Sequence, residues 1–164
     1  MPRNLGCFVS SAGGIFKSLE NAKNLGVNSF MIHPSPPQRW NSEPFKKEDI
    51  KKFNDARGSY PEINKIYFHG IYLINLANPD KQKFHLSKLS LLNHLNLLLE
   101  IKANGLVFHT GSLKDWTDDS KGIERVVYGI NWIFENLALP LTLPSDPFFL
   151  LECAAGSGKV IGDK

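Results

Sequence analysis

The chain is 164 residues long, 42% hydrophobic and 21% charged, with a net charge of +3. That composition fits one globular domain with a real core and excludes a disordered or fibrous chain. The mild basic excess permits an anionic partner without demanding one.

The first residues, MPRNLGCFVSSAGG, lack the apolar segment of a secretion signal. No apolar run approaches the ~20 residues of a membrane span. Cys7 and Cys153 show no paired spacing, so a reducing setting is expected, cytoplasmic and without a membrane partner.

Short apolar runs alternate with segments of helical period. The strand candidates are LGCFVS (5–10), SFMIH (29–33), KIYFH (65–69), GLVFH (105–109) and FFLLE (148–152). The helical segments are 14–25, 46–57, 82–103 and 119–137. In the second, Ile50, Phe53 and Ala56 form the buried side and the lysines point outward. In the third, Leu86, Leu89, Leu92, Leu95 and Leu99 recur at spacings of three and four and suggest one apolar face. Ser87 is expected near its start and Asn104-Gly105 as its stop. Repeated βα units with continuous apolar strands give an α/β class with a parallel sheet covered by helices. Doubly wound and barrel forms remain open at this point.

Four of the strand candidates end on His33, His69, His109 and Glu152. The last three are one βα unit apart. In a barrel, the C-terminal ends of successive strands converge on one face. Two imidazoles and a carboxylate gathered there make a zinc-type ligand set. The bland alternative is a series of hydrogen-bonded structural histidines. Small residues follow each candidate, and in the Thr110-Gly111-Ser112 loop a backbone N–H and a hydroxyl could meet an anion. The terminal Gly156-Ser157-Gly158-Lys159 is not a phosphate loop, because Val160 follows the lysine and Cys153 stands where the first glycine is required. No nucleotide cofactor is expected.

The motifs GCFVSSAGG, PPQRW, HGIYLINLANP, FHTGS and ECAAGSG resemble, in order, those of the endonuclease IV family of apurinic/apyrimidinic (AP) endonucleases. The resemblance implies the N-terminal half of a (β/α)8 barrel, with about five strands and four helices. The whole chain, 1–164, would be one incomplete barrel domain. It implies zinc-dependent hydrolysis of the phosphodiester 5′ to an abasic site in double-stranded DNA, leaving a 3′ hydroxyl, and a nucleoid-associated role in base excision repair. Family members use three zinc ions; at most one or two partial sites are expected here.

Carried over to this sequence, His69 and His109 would ligate the first zinc. Glu152 would be the catalytic carboxylate bridging it to a second. Gln38, Arg39 and Trp40 would enter the minor groove at the lesion, Tyr72 would contact DNA, and Gly111 and Ser112 would line the loop beside it. Asn75 falls in the same motif, with a structural role open.

The sequence departs from the family pattern in two places. Phe8 stands where the family has a histidine, and Cys153 where it has an asparagine. The resemblance implies that the Phe8 position is not a zinc ligand, while Cys153 could in principle face the metal. Cys153 follows Glu152 and should point to the opposite side of the strand, where a packing role is expected. His33 aligns with an apolar or aromatic position and is set aside as a ligand, and His85 and His94 are read as surface or packing residues.

A metal-dependent sugar isomerase or epimerase of the xylose-isomerase-like barrels is the alternative. It would not need the PPQRW loop or Tyr72 for a duplex. Because a barrel needs about 250 residues, the chain reads as a fragment, with an exposed inner face and open edges when alone. Association or marginal stability of the isolated chain, and weak or absent cleavage, are expected. Urea unfolding monitored with light scattering checks this, and a monomeric, cooperative transition of ordinary stability would contradict it.

Overall fold

The order of the strands decides what periodicity left open. The structure, a computed structural model, describes residues 3–40, 45–138, 147–153 and 158–162. Along the chain run β1 (Gly6–Phe8), α1 (Lys17–Asn24), β2 (Ser29–Ile32), α2 (Lys47–Arg57), β3 (Lys65–His69), α3 (Lys81–Glu100), β4 (Gly105–His109), α4 (Asp119–Glu135) and β5 (Phe148–Glu152). The sheet order is β1-β2-β3-β4-β5, and each pair is parallel. A doubly wound sheet would reverse direction at a switch point. This sheet never does, so each crossover advances the same way, as in the first half of a (β/α)8 barrel.

The strands sort their side chains by the two-residue period. Phe30 and Ile32, Ile66 and Phe68, and Leu106 and Phe108 are buried. They form a core with Leu19 and Ala22 of α1, Phe53 of α2 and Leu91, Leu95 and Leu98 of α3. Met31, Tyr67 and Val107 occupy the other face and are only half-buried. Phe8, Phe148 and Leu150 are exposed. Truncating a buried phenylalanine such as Phe68 to alanine would cost about 3–5 kcal/mol.

Helix α2 buries Ile50 and Phe53 as expected, with Ala56 half-buried. Helix α3 departs from the sequence reading. Its N-cap is Asp80, whose carboxylate accepts from the Lys83 backbone N–H at 2.8 Å; Ser87 lies a turn and a half inside. The left-handed residue that ends it is Lys102, with φ of 54°. Asn104 instead brackets Ile66 of β3, donating its N–H to the Ile66 carbonyl and accepting from the Ile66 N–H. The buried side carries Phe84, Ser87, Lys88, Leu91, His94, Leu95 and Leu98. Leu86, Leu89, Leu92 and Leu99 are half-buried. The apolar stripe misled because the face against the sheet includes polar residues with partners or rings to meet them.

Two of these polar residues matter. Lys88, 6% exposed, lies with its ammonium 4.2 Å from the Trp132 ring centroid, 4.9 Å from Phe84 and 5.1 Å from Tyr128. Burial, and secondarily the nearby Arg125, lower its pKa. His94 is wholly buried, with Nε2 3.0 Å from the Ser35 hydroxyl. Burial, and secondarily His33, hold its pKa down to about 3.

His94 therefore folds neutral, while the unfolded chain takes up a proton near pH 6.5. Between those values the unfolded state binds more protons, so stability is full above pH 6.5 and falls with acidification. The slope from this one group is up to about 1.4 kcal/mol per pH unit. His94→Gln should flatten the loss of urea-midpoint stability between about pH 6.5 and 4 relative to the parent, and superimposable acid limbs would contradict the assignment.

Candidate metal centre

The register of β3, β4 and β5 assembles the candidate ligands. His69 pairs with Val107, and His109 with Glu152. His69 thus lies one inward-facing level deeper than the other two. That stagger explains why His69 is 8% exposed while the side chains of His109 and Glu152 are 45% and 41% exposed. All three face the same side of the sheet. One ligand atom from each lies within 4.8 Å of the others.

The orientation of the His69 ring is fixed from below. Its Nδ1 lies 2.7 Å from the Gly70 carbonyl oxygen. A carbonyl only accepts, so Nδ1 carries the proton and donates. In the neutral ring Nε2 is then a lone pair, yet it faces the Glu152 Oε2 at 3.0 Å. His109 Nδ1 approaches the same oxygen at 3.7 Å. A lone pair opposed to a carboxylate requires a cation between them or a proton on Nε2. Zinc with ligands at about 2.0–2.2 Å in tetrahedral array separates its ligand atoms by about 3.4 Å, which the two contacts bracket. The donor set therefore fits zinc, with the carbonyl contact fixing the tautomer, as is common for metal-bound histidines.

Around this cluster the structure packs aromatic rings. Tyr72, 57% exposed, lies 6.0 Å from the His69 ring and 6.4 Å from His109. His33 lies 5.1 Å from the His69 ring, but its Nδ1 meets the His69 carbonyl oxygen at 3.2 Å. Burial first, and the neighbouring His69 second, lower its pKa. It supports the site from behind and is not one of the three converging ligands. Phe8 stacks 4.9 Å from His33 and 5.9 Å from His69, so the departure from histidine puts an apolar ring at this flank.

The other expected residues divide. Gln38 and Arg39 are exposed, at a turn where the Arg39 N–H donates to the Pro36 carbonyl. Trp40 is half-buried and packs on the core. The Tyr72 N–H donates to the Pro37 carbonyl at 2.9 Å, tying that loop to the one after β3. Ser112 departs from the expectation of an open anion loop. Its N–H donates to Asn75 Oδ1 and its hydroxyl to the Lys159 carbonyl, so both donors tie the loop to neighbouring segments.

Lys159 pairs with Asp119 at the start of α4. Val160 bridges to Ser112. Gly156 and Ser157 lie outside the described residues. Cys153 is exposed rather than packed. His85 is exposed beside Trp132, and His94 is buried, both away from the cluster.

No family model matches the chain. In sequence it is similar to apurinic-apyrimidinic endonuclease 1 of Plasmodium berghei, 32% identical over 161 residues, which are 98% of this chain and 30% of that protein. It is also similar to a probable endonuclease 4 of Chlorobium luteolum, 29% identical over 164 residues, covering 99% of this chain and 56% of that one. In structure it resembles endonuclease IV from Thermus thermophilus, with a TM-score of 0.76 and 23% identity over 98% of this chain and 55% of that one. A D-tagatose 3-epimerase-like protein shares the fold, with a TM-score of 0.62 and 16% identity over 81% of this chain and 48% of its own.

The chain is thus a (β/α)8-type half-barrel. It resembles the endonuclease IV family in sequence and in fold along nearly its whole length. It spans about half, or less, of the length of these relatives.

If the cluster holds zinc, calorimetric titration of the metal-free chain should show one dominant binding event. His109→Ala and Glu152→Gln should each weaken it by at least about tenfold, the cost typical of outer-shell partners and hence a floor for ligands. Unchanged affinity in both variants would rule the cluster out as the binding site.

Proposed function

We propose that this chain supplies half of the active site of a zinc-dependent AP endonuclease, which hydrolyses the phosphodiester 5′ to an abasic site in double-stranded DNA. The observation that carries this reading is the convergence of His69, His109 and Glu152 on one point at the strand C-terminal ends. The motif order and the similarity to proteins named AP endonuclease 1 and endonuclease 4 support it.

A divalent metal held by these three residues would polarise a phosphoryl oxygen and lower the pKa of a bound water. The protein's own contribution is positional. The Gly70 carbonyl fixes the His69 tautomer, and the Glu152 carboxylate reaches both imidazoles. Gln38 and Arg39 stand on a loop tied to the Tyr72 backbone, so the residues that would enter the minor groove move with the one beside the ligands. An abasic nucleotide is already unstacked and costs less to extrude than a paired base. Side chains inserted from the minor groove can hold the bent duplex.

The shared fold of the epimerase-like protein keeps a sugar-isomerising role as the second reading. Fluorescence anisotropy separates the two. An abasic duplex should bind more tightly than the undamaged duplex, with affinity falling as salt rises. Arg39→Ala should weaken binding and reduce the salt slope by about one counterion if it meets a phosphate. Ketose epimerisation without preference for the abasic duplex would favour the rival.

A further inference from the structure

His69 is held by its own ring hydrogen bond to Gly70. Among the described residues His109 has no such bond: its ring meets only Glu152, His69 and Tyr72, and its side chain is 45% exposed. Its position therefore depends on its backbone, at the point where β4 runs into the 110–113 loop.

That loop is held to the 159–161 segment by the Leu113 N–H on the Lys159 carbonyl and the Ile161 N–H on the Gly111 carbonyl, and to the loop after β3 by a backbone bond and the Asn75 side chain. Asn75 Oδ1 accepts from the Ser112 N–H at 3.2 Å and from the Ala77 N–H at 2.9 Å. The Asn75 N–H donates to the Ser87 hydroxyl on α3, and the Leu76 N–H donates to the Thr110 carbonyl. Gly111, with φ of 136°, sits against the carboxamide: a Cβ there would lie 2.2 Å from Asn75 Oδ1 and 3.1 Å from the Ala77 nitrogen. The glycine is required by the asparagine, and the asparagine closes the seam between the loop bearing Tyr72 and the strand end bearing His109.

The geometry points to Asn75 as a positioning residue for the metal centre, one that sets the place of the His109 imidazole through the 110–112 backbone. This rests on the proposed metal site. Asn75 touches neither metal nor substrate, and acts on the entropy of the second ligand: a histidine presented on a fastened loop loses less freedom when it binds than one on a loose loop.

The test is Co2+ titration of the chain, read from the visible absorption of the bound ion, together with thermal unfolding of the metal-free proteins. Asn75→Ala removes the acceptor, and Gly111→Ala displaces it while leaving Asn75 in place. Both should weaken Co2+ binding by about tenfold or more and alter the band shape. Asn75→Asp, which retains an acceptor for both N–H groups, should restore affinity to within about threefold of the parent. Folded alanine variants that bind like the parent would overturn the inference.

If either variant fails to fold, amide exchange in the unaltered chain decides. By linkage, metal binding must tighten whatever positions the ligand, so exchange at Ser112 and Ala77 should slow on saturation with Zn2+. Unchanged exchange would overturn the inference too. Absence of any metal binding by the unaltered chain would bring down the metal centre and the inference with it. Binding that all variants share equally would remove the inference alone.

Discussion

The parallel pairing of β4 with β5 is the constraint on which the site depends. His109 and Glu152 are opposite one another only because Gly105 meets Phe148 at the other end of the ladder and every rung between is in step. A slip of one residue would turn the carboxylate to the helix side and bring Leu151 or Cys153 to face the imidazole. Either would remove the carboxylate oxygen that meets both imidazoles. The pairing of β3 with β4 then sets depth, since His69 is matched to Val107 rather than to His109. One candidate ligand is consequently enclosed and two are exposed, a difference produced by shear.

Much of this was legible in the sequence, for an identifiable reason. KIYFH, GLVFH and FFLLE are strands because β-branched, aromatic and aliphatic residues run together, and all three occupy the residues read from the sequence. Their last residues meet at one end of the sheet, where His109 and Glu152 are exposed and His69 is enclosed. The repetition of one residue class at one-unit spacing is a long-range signal that survives without coordinates. The similarity to endonuclease IV-type proteins extends along nearly the whole chain.

The rest was hidden where polar atoms are buried with partners distant in sequence. The leucine stripe of α3 suggested the wrong face because Ser87 meets Asn75, His94 meets Ser35 through Nε2, and Lys88 meets aromatic rings. No periodicity can report a partner 59 residues away, the separation of Ser35 and His94. The small residues after His109 looked like room for an anion, whereas Gly111 makes room for a carboxamide and Ser112 is spent on the loop. The composition of a loop tells that the backbone is crowded, not what crowds it.

The enclosed ammonium of Lys88 has one more consequence. Its charge is answered by the faces of Phe84, Tyr128 and Trp132 across the seam of α3 and α4, with no carboxylate paired to it among the described residues. Counterions weaken attractions between separated exposed charges, but they do not enter a contact of 4.2 Å made inside a ring-walled pocket. The outer layer of the half-barrel and its mouth therefore answer differently to the ionic surroundings. Rising salt would screen exposed pairs such as Lys159 with Asp119 while leaving the scaffold behind them almost untouched.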